Sequence, residues 1–125
     1  MEKYRINANV LKNRLYVTLQ GFFTDDEVHE ASERTIAEIK NLRPGFDVIN
    51  DISKFKPATP AGAEDIKRSQ IFAKERGAKR IFRVVGKDMV ASAIATIQFS
   101  RTSHTAGYEA DIVATVEEAE KLLGD

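Results

Sequence analysis

The stretch from Phe46 to Ala73, FDVINDISKFKPATPAGAEDIKRSQIFA, constrains the fold more than any other. Phe46, Val48, Ile49 and Ile52 form a nearly continuous apolar run. A run of that kind reads as a central strand covered on both faces, which belongs in a parallel or mixed sheet flanked by helices. A polar loop, residues 53–58, follows, and then Thr59-Pro60. Thr suits a helix N-cap and Pro the first helical position. A helix is therefore expected from about Pro60 to Arg76, stopped by Gly77. In α/β domains the turn after a strand feeds a helix N-terminus that attracts anions, and ligands and regulatory contacts collect there.

The rest of the chain reads as scaffold for that turn. Tyr4, Ile6, Ala8 and Val10 alternate with polar residues, as do Leu15, Val17 and Leu19. These are two half-buried strands, and Lys12-Asn13 is a tight turn between them, because Asn tolerates positive φ. Gly21 ends the second strand. Thr24 with Glu27 makes a capping box, and Val28, Ala31, Thr35, Ile36, Ile39 and Leu42 give a helical stripe that stops at Pro44-Gly45. The acids Asp25, Asp26, Glu27 and Glu30 read as first-turn helix chemistry rather than a metal site. Arg80–Val85 is a short strand. Asp88 caps a helix with Val90, Ala91, Ile94, Ala95 and Ile97 on its apolar side, reaching Arg101. After a polar run, residues 101–105, Gly107-Tyr108 turns into a last strand, Ala110–Ala114. Thr115 with Glu118 is a second capping box, opening a helix through Val116, Ala119, Leu122 and Leu123.

The expected order is β-β-α-β-α-β-α-β-α. That is an α/β fold, a single domain over residues 1–125, with a mixed sheet opened by a β-hairpin and later strands mostly parallel. The length suffices for a core without staples. The absence of cysteine excludes disulfides, zinc thiolates and a cysteine nucleophile. Lys and Arg total 19, as do Asp and Glu, so no bulk attraction to nucleic acid or an anionic membrane is expected. No secretion segment and no membrane-length apolar run is read, which makes a cytoplasmic protein the expectation.

Several strings resemble the STAS domain, the fold of bacterial anti-sigma-factor antagonists. LYVTLQGFFTDDEV is similar to that family's second strand, its Gly and the entry to its first helix. NDISKFKPATPAG stands where the family has a strand ending in Asp-Leu-Ser, a loop, and Asp-Ser-Ser-Gly. AGYEADIVATVEEAEKLL is similar to its closing Gly, strand and last helix. The resemblance spans most of the chain and implies a STAS-like regulatory or protein-binding module. The family's Asp falls on Thr59, its two serines on Pro60 and Ala61, and its Gly on Gly62. Phosphorylation in the family is placed on the second serine. Ala61 has no hydroxyl, so the resemblance implies the fold without the phospho-switch. Some members of the wider family carry lipids, nucleotides or other small ligands.

No Walker loop, GxGxxG or H-E-x-x-H is present. Ser100 or Ser103 with His104 and Glu109 lacks the G-x-S-x-G elbow, and His29 lies on a polar helix stripe. The expectation is accordingly non-enzymatic, with no cofactor. Lys74, Arg76, Lys79, Arg80, Arg83 and Lys87 read as helix-end cations and edge-strand charges rather than a nucleic-acid patch. The expected working surface is the 53–65 loop and helix mouth. Phe55 is its exposed docking aromatic, Lys54 and Lys56 its charged rim, Thr59 the N-cap, and Ala61 and Gly62 the donors of free amides to an anion or acidic partner. The alternative is a carrier for a small lipid or nucleotide, with an apolar pocket beside the second helix lined by Phe55, Met89 and Phe99. A protein partner is expected; a homodimer is compatible with the architecture, though no residue specifies it.

Overall fold

A computed structural model of the chain describes residues 3–56, 58–87, 97, 100, 101, 104, 107 and 109–124. The opening hairpin consists of β1 (Tyr4–Asn9) and β2 (Arg14–Gly21), paired antiparallel. Asn13 takes φ 55° at its tip, as the turn requires. The Asn13 side chain also clasps the backbone of Arg43, through Nδ2 to the carbonyl at 3.2 Å and Oδ1 from the amide at 2.9 Å. The turn thereby fixes where the next helix ends.

That helix, α1 (Asp25–Ile39), carries the full reciprocal capping box between Thr24 and Glu27. It leads into β3 (Asp47–Phe55), then α2 (Pro60–Glu75), β4 (Ile81–Val84), β5 (Asp111–Val113) and α3 (Val116–Leu123). The five strands form one mixed sheet in sequence order, with β2 to β5 mutually parallel. The chain is thus an α/β domain opened by a hairpin. Between β4 and β5, the helix expected from Asp88 lies mostly outside the described residues, as do Met89, Phe99, Ser103 and Tyr108. His104, expected in a loop, is helical.

Parallel register places Leu15, Val48 and Ile81 side by side, then Val17, Asn50 and Arg83. This face of the sheet meets α1 and α2 across the larger core, which includes Phe23, Val28, Ile39, Ile52 and Ile66. The opposite face carries Ile49, Phe82, Val84 and Val113, packed on Ala119 of α3. β4 lies inside the sheet, flanked by β3 and β5. Arg83 is therefore buried at 2 % exposure and donates to Ser100 Oγ at 3.3 Å, and the edge-strand reading of Arg83 is corrected. Arg80 instead lies over the Phe82 ring at 4.9 Å and donates to the Leu122 carbonyl. The basic run is thus divided between surface and core.

The connections are close. Gly77 has φ +96°, and a Cβ there would lie 3.0 Å from Pro44, so the end of α2 rests on the turn that ends α1. At the open edge of the sheet, the Ala8 amide of β1 donates to Glu38 Oε1 of α1 at 3.0 Å. A charged side chain closing an edge amide discourages pairing with foreign strands. Among the described residues no helix is long and apolar enough to cross a membrane.

Candidate functional site

The turn from β3 to α2 is built by an irregularity in the sheet. β2 and β3 pair Thr18 with Asp51, and then Gln20 with Lys54. β3 therefore advances three residues while β2 advances two, which is a bulge. Asp51 fixes it locally: its Oδ1 accepts from the Ser53 amide at 3.0 Å and the Ser53 hydroxyl at 2.7 Å. The Asp-Ile-Ser string is thus a structural device at a strand irregularity.

The bulge reverses the alternation of side chains beyond it. β3 runs on to Phe55 instead of ending at Ile52. Lys54 faces solvent, and Phe55 turns into the core at 3 % exposure. Its ring meets Phe23 edge to face, centroids 5.3 Å apart. The expectation of Phe55 as an exposed docking aromatic is therefore corrected. Lys54 and Lys56 are exposed, and neither has an ion-pair partner among the described residues. They form the rim as expected, although Lys54 belongs to the strand rather than the loop.

The mouth of α2 is capped. Thr59 is the N-cap, and its hydroxyl oxygen accepts from the Gly62 amide at 3.1 Å. The Gly62 amide is therefore not free. The residue is buried, and a Cβ there would meet Ala58 Cβ at 3.1 Å and Val28 Cγ2 at 3.3 Å. Gly62 is small because α1 passes close by, which corrects the reading of an open mouth. Ala61 is exposed. The Thr59 hydroxyl donates to Asp25 Oδ1 in the first turn of α1. α2 has no acid in its own first turn. Asp25 thus supplies, from the neighbouring helix, the negative charge that a helix N-terminus favours. An anion approaching this mouth meets that carboxylate.

Glu27 and Glu30 of α1 are similarly engaged. Glu27 binds Lys3 at 2.9 Å and the Thr24 amide at 2.9 Å, and these contacts, Lys3 first, hold its carboxyl below the usual range. Glu30 accepts from the Tyr4 hydroxyl, which raises the phenol above its ordinary value. The two helices are tied on the outside by a polar network. Asp65 Oδ1 lies 3.1 Å from His29 Nδ1, Arg68 reaches Glu33 at 2.9 Å, and the Ser32 hydroxyl donates to the Asp65 carbonyl at 2.9 Å.

Two spaces flank α2. On its outer side a shallow recess of about 440 Å³ is lined by Ala61, Glu64, Asp65, Lys67, Arg68 and Ile71. Beneath it, between the sheet and both helices, lies a cavity of about 50 Å³ whose walls include Phe55, Val28, Ile66 and Asn50. The apolar space beside the second helix has Phe55 in its wall; Met89 and Phe99, expected with it, lie outside the described residues. It is far smaller than the several hundred Å³ typical of drug-sized ligand pockets. Asn50 is not among the residues singled out from sequence, and Asp25 is read there only as first-turn helix chemistry. A lone Asn inside the apolar FDVINDI run was the available signal for the first; no sequence signal marks the contact between Asp25 and Thr59.

Comparison with protein-family models and with curated proteins finds no match to this chain.

Proposed function

We propose that this domain is a non-enzymatic, cytoplasmic regulatory module of STAS-like type that docks an acidic protein partner. The docking surface is the outer side of α2 together with Lys54 and Lys56. The observation that carries this reading is the recess between Ala61 and Ile71, an apolar floor among charged groups, on the helix that follows two exposed lysines without ion-pair partners among the described residues. Charge complementarity of this kind chiefly sets association rate and specificity, while the apolar floor supplies area to bury. The resemblance in the Asp51–Gly62 string supports the same placement. Phosphate control at this turn is disfavoured on two counts: Ala61 cannot accept a phosphoryl group, and a dianion on Thr59 would stand against Asp25.

The test is affinity capture from cells of the native host, comparing the wild type with Lys54→Glu/Lys56→Glu and with Ala61→Arg. These side chains are exposed, so both variants are expected to keep their folding stability within about 0.5 kcal/mol of wild type. The charge-reversed protein loses the captured acidic partner, and Ala61→Arg loses it by filling the recess. Capture undiminished in both folded variants overturns the surface.

A further inference from the structure

We propose that the cavity beneath the α1–α2 seam is a binding site for a small, neutral, largely apolar molecule bearing one hydrogen-bond donor, a short-chain alcohol being the type. This goes beyond the docking reading and does not depend on it.

Volume, charge and polarity each limit the occupant. A space of about 50 Å³ exceeds the roughly 10–15 Å³ that one water needs and falls short of the roughly 150 Å³ that accommodates benzene. It suits about three or four non-hydrogen atoms. Among the described residues none that lines it is charged, and burial of an ion without a counter-charge is prohibitive, so the occupant is neutral. Most of the wall is apolar, from Val28 on α1 to Ile66 and Ala73 on α2 and Val17 on the sheet.

The polar side chains in the wall are Asn50, Gln70 and three hydroxyls, and the hydroxyls share one character. The hydroxyls of Ser32, Thr35 and Ser69 donate to the backbone carbonyls of Asp65, Ala31 and Ile66 at 2.8–2.9 Å. Their protons are committed to the helices, which leaves oxygen lone pairs as acceptors. Asn50, on the central strand and 8 % exposed, has a buried Oδ1 with no hydrogen-bond partner among the described residues. A buried acceptor left unsatisfied is destabilising, and an apolar residue at this position would remove that cost. A ligand hydroxyl satisfies it while its carbon chain fills the apolar remainder. The site opens on the inner side of α2, so its occupant steadies the helix that bears the docking surface.

The experiment is a titration of methyl-labelled protein with 1-propanol and, in sealed tubes, with its isomer methoxyethane, which has the same atoms and no donor. The methyl resonances of Val28, Ile66 and Ala73 are expected to shift saturably with 1-propanol, and the ether to bind about tenfold more weakly, the worth of one buried hydrogen bond. Asn50→Leu erases that preference. Ala73→Val, which narrows the cavity without touching Asn50, is expected to abolish saturable binding by the alcohol in a folded protein. Non-saturating shifts spread over the chain, which would leave only water in the cavity, overturn the proposal. Equal binding of the two isomers, a preference that survives Asn50→Leu, or undiminished binding in Ala73→Val overturns it as well.

Discussion

The two faces of the sheet solve the same packing problem differently. On the α3 side, Ile49, Phe82, Val84 and Val113 close on Ala119, and the polar side chains of this face are joined to one another, from Arg14 through the Tyr16 hydroxyl to Glu120. On the side of α1 and α2 the core is larger, contains a cavity, and has Asn50 buried in its wall and Arg83 beside it in register. Ile49 and Asn50 are chain neighbours that enter opposite faces. The contrast is between a face whose polar side chains hydrogen-bond to one another and one that leaves Asn50 Oδ1 without a partner among the described residues. Buried polar groups retained at a cost in stability concentrate where a protein binds something.

Truncating the large aromatics tests the contrast most strongly. Phe82→Ala on the closed face and Phe55→Ala on the open one are each expected to lose about 3–5 kcal/mol, measured by urea denaturation. A loss under about 1 kcal/mol for Phe55→Ala would return that ring to the surface role expected from sequence. The next effect is an exchange between neighbours. Ile49→Asn is expected to destabilise by about 3 kcal/mol, because it buries an amide in an apolar cluster. Asn50→Leu is expected to stabilise by about 1 kcal/mol, because it removes an unsatisfied acceptor and fills space. Equal and opposite outcomes would erase the distinction between the faces.

Helix caps give a smaller effect. Thr59→Ala removes a cap and the bond to Asp25, whereas Thr115→Ala removes a cap alone. Losses of about 2 and about 1 kcal/mol are expected in that order, within the range measured for caps. Equal losses would mean that Asp25 contributes nothing to the junction of the two helices. The smallest effect is one of pH. The Glu27 carboxyl is held below its ordinary range in the folded chain, so its contribution is present above the unfolded value near 4.3 and is lost as pH falls through the lower folded value. The difference in thermal midpoint between wild type and Glu27→Gln is expected to shrink on titration from pH 7 toward pH 3. A difference independent of pH would show that the pair with Lys3 is screened away.

Much of this architecture was readable from local chemistry. The alternation in β1 and β2, Asn13 at the hairpin tip, and the Thr24–Glu27 box each act over a few residues, and the structure keeps them. So does Thr59 as N-cap. The second box is only partly kept: the Glu118 amide donates to the Thr115 hydroxyl, but the Glu118 carboxylate takes the amide of Ala114 instead. The misreadings share a different cause. Period-two alternation assumes an unbroken strand, and the bulge fixed by Asp51 reversed it, turning Phe55 inward. Arg83 looked like an edge charge because strand order is set by which strands meet, not by composition.

Periodicity, caps and turn residues, acting between near neighbours, were therefore enough to dictate the α/β class, the hairpin and the helix starts. Which side chains faced which layer depended on contacts between distant segments. Asp25 reaches Thr59 across 34 positions, and Val28 stands against Gly62. Those contacts, together with the register of β3 on β2, made the helix mouth a capped junction and left the free space on either side of α2.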